Sequence, residues 1–227
     1  MAHMTAEEAR SARIQDLGAE LGALFDTLTT ELTWLHVRWA QYRELYGTRT
    51  ERIDMLNQAA PYFFRIVEDA LWQDTILNLC RLTDDRGRGK GARMSIHQLP
   101  RHVQNLGVRR ELEGLVELAV LATSFARDWR NRKYAHLNLQ LALQTGAEPL
   151  AHASRAFVET ALSALDDVMN CVSERLRDIT QSFTLTPSSG ALDLLYVLRD
   201  GLAVKAERAQ RLSEGKPIPS DWAPGTI

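Results

Sequence analysis

The stretch IQDLGAELGALFDTLTTELTWLHVRWAQYRELYG, residues 14–47, decides the fold class of this 227-residue chain. Its apolar residues recur only at intervals of three and four, the spacing of a single stripe along an α-helix. They are Ile14, Leu17, Leu21, Leu24, Leu28, Leu32, Leu35, Trp39, Tyr42 and Tyr46. An unbroken helix over residues 5–46 would be about 60 Å long, which exceeds a compact domain of this size. We therefore expect a long N-terminal helix that either breaks near Gly18 and Gly22 or projects to pack on a partner.

Further helices follow along the chain. Pro61 fits the first turn of a helix that is apolar almost all round and that should be central in the fold. Thr48 with Glu51 has the spacing of a capping box, and Asn105 with Gly107 suits the end of a short helix.

The second half of the chain is also helical in pattern. Residues 157–183 carry a second clean apolar stripe, and residues 191–212 predict a last helix. No alternation typical of strands stands out, so the fold class is predicted to be all-α. We divide the chain into a helical domain, residues 5–185, and a C-terminal helix with a loose tail, residues 186–227.

Composition excludes several classes of protein. The chain has 27 Lys and Arg against 29 Asp and Glu, and 45% of its residues are hydrophobic, which excludes a disordered or collagen-like chain. Cys80 and Cys171 are too few for a disulfide framework or a zinc ribbon, so we expect buried thiols in a reducing cytoplasm. No apolar run is long enough for a transmembrane helix, and no signal peptide is expected.

Positive charge is concentrated in one segment. Residues 81–110 have a net charge of +6, while the rest of the chain has a net charge of −8. Such a segment could attract a polyanion locally, or it could be a solvated arginine-rich loop. Both interpretations stay open at this point.

The stretch RDWRNRKYAH, residues 127–136, combines four cations, one acid and a histidine. On a continuous helix the side chains of Arg130 and His136 would point about 120° apart, so they converge only if the helix ends between them or a second chain contributes its own copy. Neighbouring cations should lower the pKa of His136 and leave its imidazole able to accept a proton near neutral pH. Arginine forks suit phosphate oxygens.

Such a set can cleave RNA without a metal ion. The imidazole accepts the proton of a ribose 2′-hydroxyl, and an arginine stabilises the charge that builds on the phosphate oxygens. The alternative is an ordinary basic helix terminus. A second polar set, Asp74, Asn78 and Arg81, lies on the central helix and would either orient residues 130–136 or form an internal hydrogen-bond network.

These residues carry a resemblance to a known family. Arg130, the polar Asn131 and His136 resemble the Arg-polar-x(3–5)-His motif of HEPN-domain proteins. The segments AAPYFF, residues 59–64, and CRLTD, residues 80–84, resemble the Abi-U-type branch, which is linked to abortive infection. The resemblance covers residues 10–185.

The resemblance implies an all-helical bundle, a homodimer with a composite cleft, and metal-independent endoribonuclease activity that needs no cofactor. It implies an RNA substrate and a toxin or phage-defence role, with an antitoxin or defence partner. The implied catalytic residues are Arg130, Asn131 and His136, the RNA-binding residues Arg132, Lys133, Arg127 and Arg81, and the supporting residues Asp74 and Asn78. The alternative is a non-catalytic helical dimer module that binds RNA or protein.

Overall fold

The computed structural model describes residues 5–84, 93–135, 139–143, 145–146, 148–183 and 190–222. These residues form helices and connecting segments without a β-strand, which confirms the all-α prediction. No helix among them is both long enough and apolar enough to cross a membrane. Residues 85–92, within the basic segment 81–110, and residues 136–138 lie outside the described residues.

The α-helices are α1 (Ala6–Leu17), α2 (Ala19–Tyr42), α3 (Thr50–Ala59), α4 (Pro61–Thr83), α5 (Leu99–His102), α6 (Leu106–Ala122), α7 (Ser124–Trp129), α8 (Leu139–Leu143), α9 (Arg155–Arg177), α10 (Ala191–Ser213) and α11 (Pro219–Trp222). A 3-10 turn covers Ile96–Gln98, and π-helical turns cover Arg43–Gly47 and Arg130–Tyr134.

The chain divides into two compact units. The first comprises Met1–Trp39 and Leu71–Thr186, and the second comprises Ala40–Ala70 and Pro187–Ile227. Helices α2 and α4 therefore contribute residues to both units. The predicted domains, residues 5–185 and 186–227, stay a prediction.

The core of the first unit is built on the packing of α6 against α9. Each helix turns one apolar stripe inward, as amphipathic helices do around a shared core. The buried side chains include Leu112, Val116 and Ala119 of α6, Val158, Leu165 and Val172 of α9, Ile76 and Leu79 of α4, and Phe25, Leu28, Leu32 and Leu35 of α2. Most of the N-terminal stripe within α2 is thus buried within the chain, whereas its residues Ile14 and Leu17 on α1 are half-buried.

The predicted long N-terminal helix breaks at Gly18. This residue has a φ of 84°, a conformation that only glycine adopts at little cost, and it separates α1 from α2. Helix α1 begins at a capping box in which Thr5 and Glu8 accept each other's backbone N–H groups. Gly22 does not break the helix, but a Cβ atom there would lie 2.5 Å from Cα of Ile14. Glycine is needed at this position because the backbone of α1 passes so close.

Two predicted helix boundaries are wrong. Helix α3 begins after Arg49 without a side-chain cap, so Thr48 and Glu51 form no capping box. Asn105 does not end a helix but begins α6, where its side chain accepts hydrogen bonds from the N–H groups of Gly107 and Val108. Asparagine suits both kinds of helix end, and only the surrounding chain decides between them.

The prediction for α4 is correct for one half of the helix. Within the first unit its residues Ile76, Leu79 and Cys80 are buried. Within the second unit Tyr62 and Phe63 are exposed, so the helix is not buried along its whole length. An apolar surface all round a helix predicts burial but does not say where along the helix it occurs.

The second unit is held by polar contacts as well as by packing. Helix α10 packs against α3 and against the π-helical turn Arg43–Gly47. The hydroxyl of Tyr46 donates to the carbonyl of Phe64 at 2.8 Å, and the N–H of Ala191 donates to Oε1 of Gln41 at 2.6 Å. Burial raises the pKa of Tyr46 to about 12, so its hydroxyl stays protonated and remains a donor.

The predicted loose tail is wrong for residues 217–222. The side chain of Asp221 is 1% exposed and accepts two hydrogen bonds from the guanidinium of Arg211 on α10, at 3.0 and 2.7 Å. It also accepts the N–H of Ile218 at 3.0 Å. The hydrogen bond from Arg211 lowers the pKa of Asp221 to about 2. A buried ion pair ties this segment to α10.

Replacing Gly22 with alanine should destabilise the protein by about 1–3 kcal/mol, because the new methyl group would overlap the backbone of α1. Gly114 on α6 is the matched control, since a Cβ atom there meets nothing within 4 Å. Gly114→Ala should stabilise the protein by about 0.5–1 kcal/mol, because alanine favours a helix interior over glycine. Urea unfolding measures both changes, and equal effects of the two substitutions would contradict the close approach.

The contact between Asp221 and Ile218 should depend on pH. An unfolded aspartate has a pKa of about 3.9, and the folded value is lower. The stabilisation is therefore fully present above about pH 4 and is lost as the pH falls towards 2. Hydrogen exchange should show protection of the Ile218 amide at pH 5, less protection at pH 2, and little at either pH in Asp221→Asn. Protection that stays constant between pH 5 and 2 would contradict the ion pair.

Candidate functional site

The C-terminal end of α4 is held by a buried hydrogen-bond network. The hydroxyl of Thr83 donates to the carbonyl of Leu79 at 2.7 Å and accepts from the hydroxyl of Thr123 at 3.0 Å. The carbonyl of Thr83 lies 3.2 Å from Nε2 of His97. These contacts join α4 to the 3-10 turn and to the junction between α6 and α7, so the position of Asp84, the next residue, is fixed.

Arg127 on α7 completes this network. Its guanidinium donates to the carbonyl and the hydroxyl of Thr83, at 3.1 and 3.0 Å, and to the carbonyl of Val120 at 2.9 Å. Its Nε atom lies 3.6 Å from Oδ1 of Asp84. All three nitrogen atoms of the Arg127 guanidinium thus contact other groups of the protein. The role of Arg127 in binding RNA stays a prediction.

Arg130 lies beside the same carboxylate. Its Nη1 atom donates to Oδ2 of Asp84 in a short ion pair, and its Nε atom donates to Oδ1 of Asn131 at 3.0 Å. The side chains of Arg130 and Asp84 are 19% and 10% exposed, so the pair is largely desolvated. The structure therefore brings the predicted Arg130 and Asn131 together and adds Asp84 to them.

The chain changes its helical geometry at Arg130. Helix α7 ends at Trp129, and residues 130–134 form a π-helical turn in which the N–H of Ala135 donates to the carbonyl of Arg130 at 2.7 Å. The regular α-helix thus ends before Arg130, and convergence of the side chains of Arg130 and His136 stays a prediction. His136 itself lies outside the described residues. Single π-helical turns are often found at functional sites.

An extended segment, residues 148–151, supports this turn from the side. Arg132 donates to the backbone carbonyls of Glu148 and Pro149. The indole N–H of Trp129 donates to the carbonyl of Ala151 at 2.7 Å. Asp128 accepts the N–H of Ala151 at 2.7 Å and lies 3.3 Å from Nη1 of Arg132. Arg132 therefore acts as a structural link in the free chain.

Lys133 is the exposed cation of the turn. Its Nζ atom lies 4.7 Å from the ring centre of Trp129 and 5.6 Å from that of Tyr134. These are cation–π distances. The roles of Arg132 and Lys133 in binding substrate phosphates stay predictions.

A cavity of about 490 Å³ lies in front of the pair formed by Asp84 and Arg130. Its wall carries three guanidinium groups and one carboxylate, together with apolar side chains. The lining residues are Leu77, Cys80, Arg81, Asp84, Arg93, Met94 and Arg130. This excess of positive charge over a partly apolar floor suits an anionic ligand with an apolar part.

Cys80 on the wall of this cavity is a protonated thiol. Burial raises its pKa to about 11, although the nearby Arg130 acts in the opposite direction. Burial likewise raises the pKa of Cys171 to about 11. Both cysteines are free and buried, as the sequence predicts.

The second predicted polar set, Asp74, Asn78 and Arg81, forms hydrogen bonds within α4, as one of the two predicted alternatives has it. Asn78 donates to Asp74 at 3.0 Å and accepts from Arg81 at 2.9 Å, so the three side chains form a chain of hydrogen bonds. Asp74 pairs with Arg38 of α2 at 3.0 Å and is 41% exposed, so it is neither buried nor opposite Arg81. Arg81 is 64% exposed and reaches the cavity. Only Arg81 lies at the candidate site.

The structural roles of Asp84 and Thr83 were not predicted from the sequence. They lie 46 and 44 residues from their arginine partners in the chain. The signal was present in the segment CRLTD, residues 80–84, which supported the resemblance but received no structural role. A Thr-Asp pair at the end of a central helix is a reasonable candidate for a buried partner of distant cations.

Arg127→Gln should destabilise the protein by about 1–3 kcal/mol, because it removes the hydrogen bonds from the guanidinium to Thr83 and to the carbonyl of Val120 and leaves Arg130 as the remaining cation beside Asp84. Arg110→Gln, which changes an exposed arginine at the start of α6, should alter stability by less than about 0.5 kcal/mol. Thermal unfolding monitored by circular dichroism checks both variants. A loss in Arg127→Gln no larger than that in Arg110→Gln would contradict the structural role of Arg127.

The chain matches one family of known proteins. The model of the HEPN family AbiU2 matches residues 18–192, which include α2, the segment CRLTD and the π-helical turn. No curated protein and no solved structure matches the chain significantly. The matched region spans most of the chain and carries both parts of the resemblance found in the sequence. The chain therefore belongs to the AbiU2 family of HEPN domains, a helical family related to abortive infection.

Proposed function

We propose that this protein is a metal-independent endoribonuclease of the HEPN type that acts as a toxin or phage-defence effector. One observation carries the proposal. The guanidinium of Arg130 is held by Asp84 at the wall of an arginine-rich cavity, six residues before His136. An arginine that stabilises charge and a histidine that moves a proton are sufficient groups for cleaving a phosphodiester by the adjacent 2′-hydroxyl.

In the proposed reaction, the imidazole of His136 takes the proton of a ribose 2′-hydroxyl. The 2′-oxygen then forms a bond to the adjacent phosphorus, and the bond to the 5′-oxygen breaks. The leaving oxygen takes a proton from an acid, and the products are a 2′,3′-cyclic phosphate and a 5′-hydroxyl. Arg130 stabilises the charge that develops on the non-bridging oxygens, and Asn131 orients its Nε edge.

A homodimer supplies the second proton-transfer group in this proposal. Two copies of the motif would place two imidazoles in one cleft, so that one acts as the base and the other as the acid. The buried stripe of α2 packs within its own chain. The dimer contact therefore uses other surfaces.

RNA binding follows from the charge of the cavity. Arg81, Arg93 and Arg130 present guanidinium groups that can bind phosphates in pairs of hydrogen bonds. The apolar side chains of Leu77 and Met94 can contact an unstacked base. The substrate is RNA in the cytoplasm, and an antitoxin or another defence protein would keep the enzyme inactive until infection.

The proposal predicts cleavage of single-stranded RNA by the purified protein in the presence of EDTA, with products ending in a 2′,3′-cyclic phosphate. Arg130→Ala and His136→Ala should each reduce the cleavage rate by at least about 100-fold, because each removes a group that acts in the transition state. Arg199→Ala is the matched control, since it removes an exposed arginine of α10 that pairs with its neighbour Asp200. It should leave the rate unchanged.

Two outcomes would contradict the proposal. Cleavage at the wild-type rate in Arg130→Ala and His136→Ala would assign the activity to other residues or to a contaminant. Salt-dependent binding of RNA without cleavage would instead support the alternative, a non-catalytic module that binds RNA through residues 81–110.

A further inference from the structure

We infer that Asp84 is the positioning residue of the proposed ribonuclease site: its carboxylate holds Arg130 by the Nη1 edge and thereby aims the guanidinium at the cavity. This inference rests on the proposed function, since the value of an aimed arginine lies in the charge that it stabilises.

The anchoring of Asp84 comes from the preceding residue. Thr83 is 1% exposed and is bonded to α4, to Thr123 and to Arg127. Because Asp84 follows directly, its backbone cannot move without breaking these bonds. The carboxylate itself is only 10% exposed, so solvent competes little for its oxygens. A partner of this kind fixes an arginine better than a mobile surface carboxylate does.

The charges around Asp84 show that its carboxylate does not neutralise the positive charge at the cavity. One carboxylate faces both Arg127, whose Nε atom is 3.6 Å away, and Arg130. Arg127 thus compensates the charge of Asp84, and the group of three keeps a net charge of +1. Arg93 on the cavity wall adds to this, whereas the charge of Arg81 is partly compensated by Glu31, whose carboxylate lies 3.6 Å from Nη2 of Arg81. The cavity therefore stays attractive to a phosphate while the ion pair is intact.

The donors of Arg130 are divided between two tasks. Nε donates to Asn131 and Nη1 donates to Asp84, whereas Nη2 has no hydrogen-bond partner among the residues that the structure describes. The side chain also lines the cavity. Planar guanidinium groups that are held at one edge keep the other edge in a fixed direction. This arrangement leaves the Nη2 edge for a non-bridging phosphate oxygen.

The decisive variant is Asp84→Asn, which keeps the size of the side chain but removes its charge. A misdirected arginine should lower kcat for cleavage of single-stranded RNA by about 10–100-fold. KM should change by less than about threefold, because Arg81 and Arg93 still attract the phosphates. Asp84→Glu should recover part of the lost kcat, since its carboxylate can still reach the arginine. A purely structural role would not produce this division between kcat and KM.

Glu111→Gln is the matched control. Glu111 pairs with Arg175 at 2.9 Å on the surface of the first unit, and Arg175 lowers the pKa of this carboxyl. The substitution removes a carboxylate–arginine pair away from the cavity and should leave kcat and KM unchanged. Thermal unfolding of every variant shows whether it is folded at the assay temperature.

A second measurement tests the contact itself without any RNA. In the wild-type protein the Nη resonances of Arg130 should be resolved by 15N NMR, because the bond to Asp84 slows rotation of that group. They should broaden in Asp84→Asn and stay unchanged in Glu111→Gln. This readout needs only folded protein at the measuring temperature, so a variant too unstable for the kinetic assay can still be studied in the cold.

The outcomes separate the inference from the function on which it rests. Wild-type kcat in Asp84→Asn, or a rise in activity, would overturn the positioning role and leave the ribonuclease proposal standing. A rise would show that Asp84 masks Arg130 rather than aims it. A wild-type protein that neither cleaves nor binds RNA would overturn the proposed function, and the inference with it, even if the NMR result showed the contact.

Discussion

The candidate site depends on one carboxylate placed between two arginines. Asp84 is almost fully buried, and a buried charge is tolerated in a fold only when it is paired. Arg127 and Arg130 supply that pairing from α7 and from the turn that follows it. The buried carboxylate of Asp84 needs the two cations to compensate its charge, and the carboxylate in turn fixes the positions of the two arginine side chains. The end of α4 and the basic stretch are thereby held as one structure.

The π-helical turn at residues 130–134 is likewise stabilised by hydrogen bonds that satisfy polar groups. Asp128, Trp129 and Arg132 all bond to the extended segment at residues 148–151. These bonds satisfy backbone groups of a segment that has no regular secondary structure of its own. They also hold the helix where it changes geometry, directly before His136. Two residues that the sequence suggests for RNA binding, Arg127 and Arg132, thus form hydrogen bonds that stabilise the chain in the absence of RNA.

The sequence was a good guide to the helices and a poorer guide to their ends. Spacing alone predicted α2, α9 and α10, because an amphipathic stripe of many turns leaves a clear periodic signal. Helix ends depend on single side chains, and Asn105 was assigned to the wrong end for that reason. The tail was expected to be loose, but the order of residues 217–222 comes from Asp221, which pairs with Arg211. No local sequence pattern predicts such an ion pair.

The sequence by itself determined the helical class and the residues Arg130, Asn131 and His136 as a motif, because periodicity and motif spacing are local properties of the chain. It left open whether the N-terminal helix breaks near Gly18 and Gly22 or projects, and the structure places the break at Gly18. Only the tertiary structure decided that Asp84 would hold Arg130 and that Asp74 would pair with Arg38 instead of Arg81. Partners 46 residues apart are chosen by how helices pack, and a carboxylate accepts whichever cation packing brings to it. The spacing of residues in the sequence therefore identifies the motif, whereas the residue that positions the arginine of the motif can be identified only from the structure.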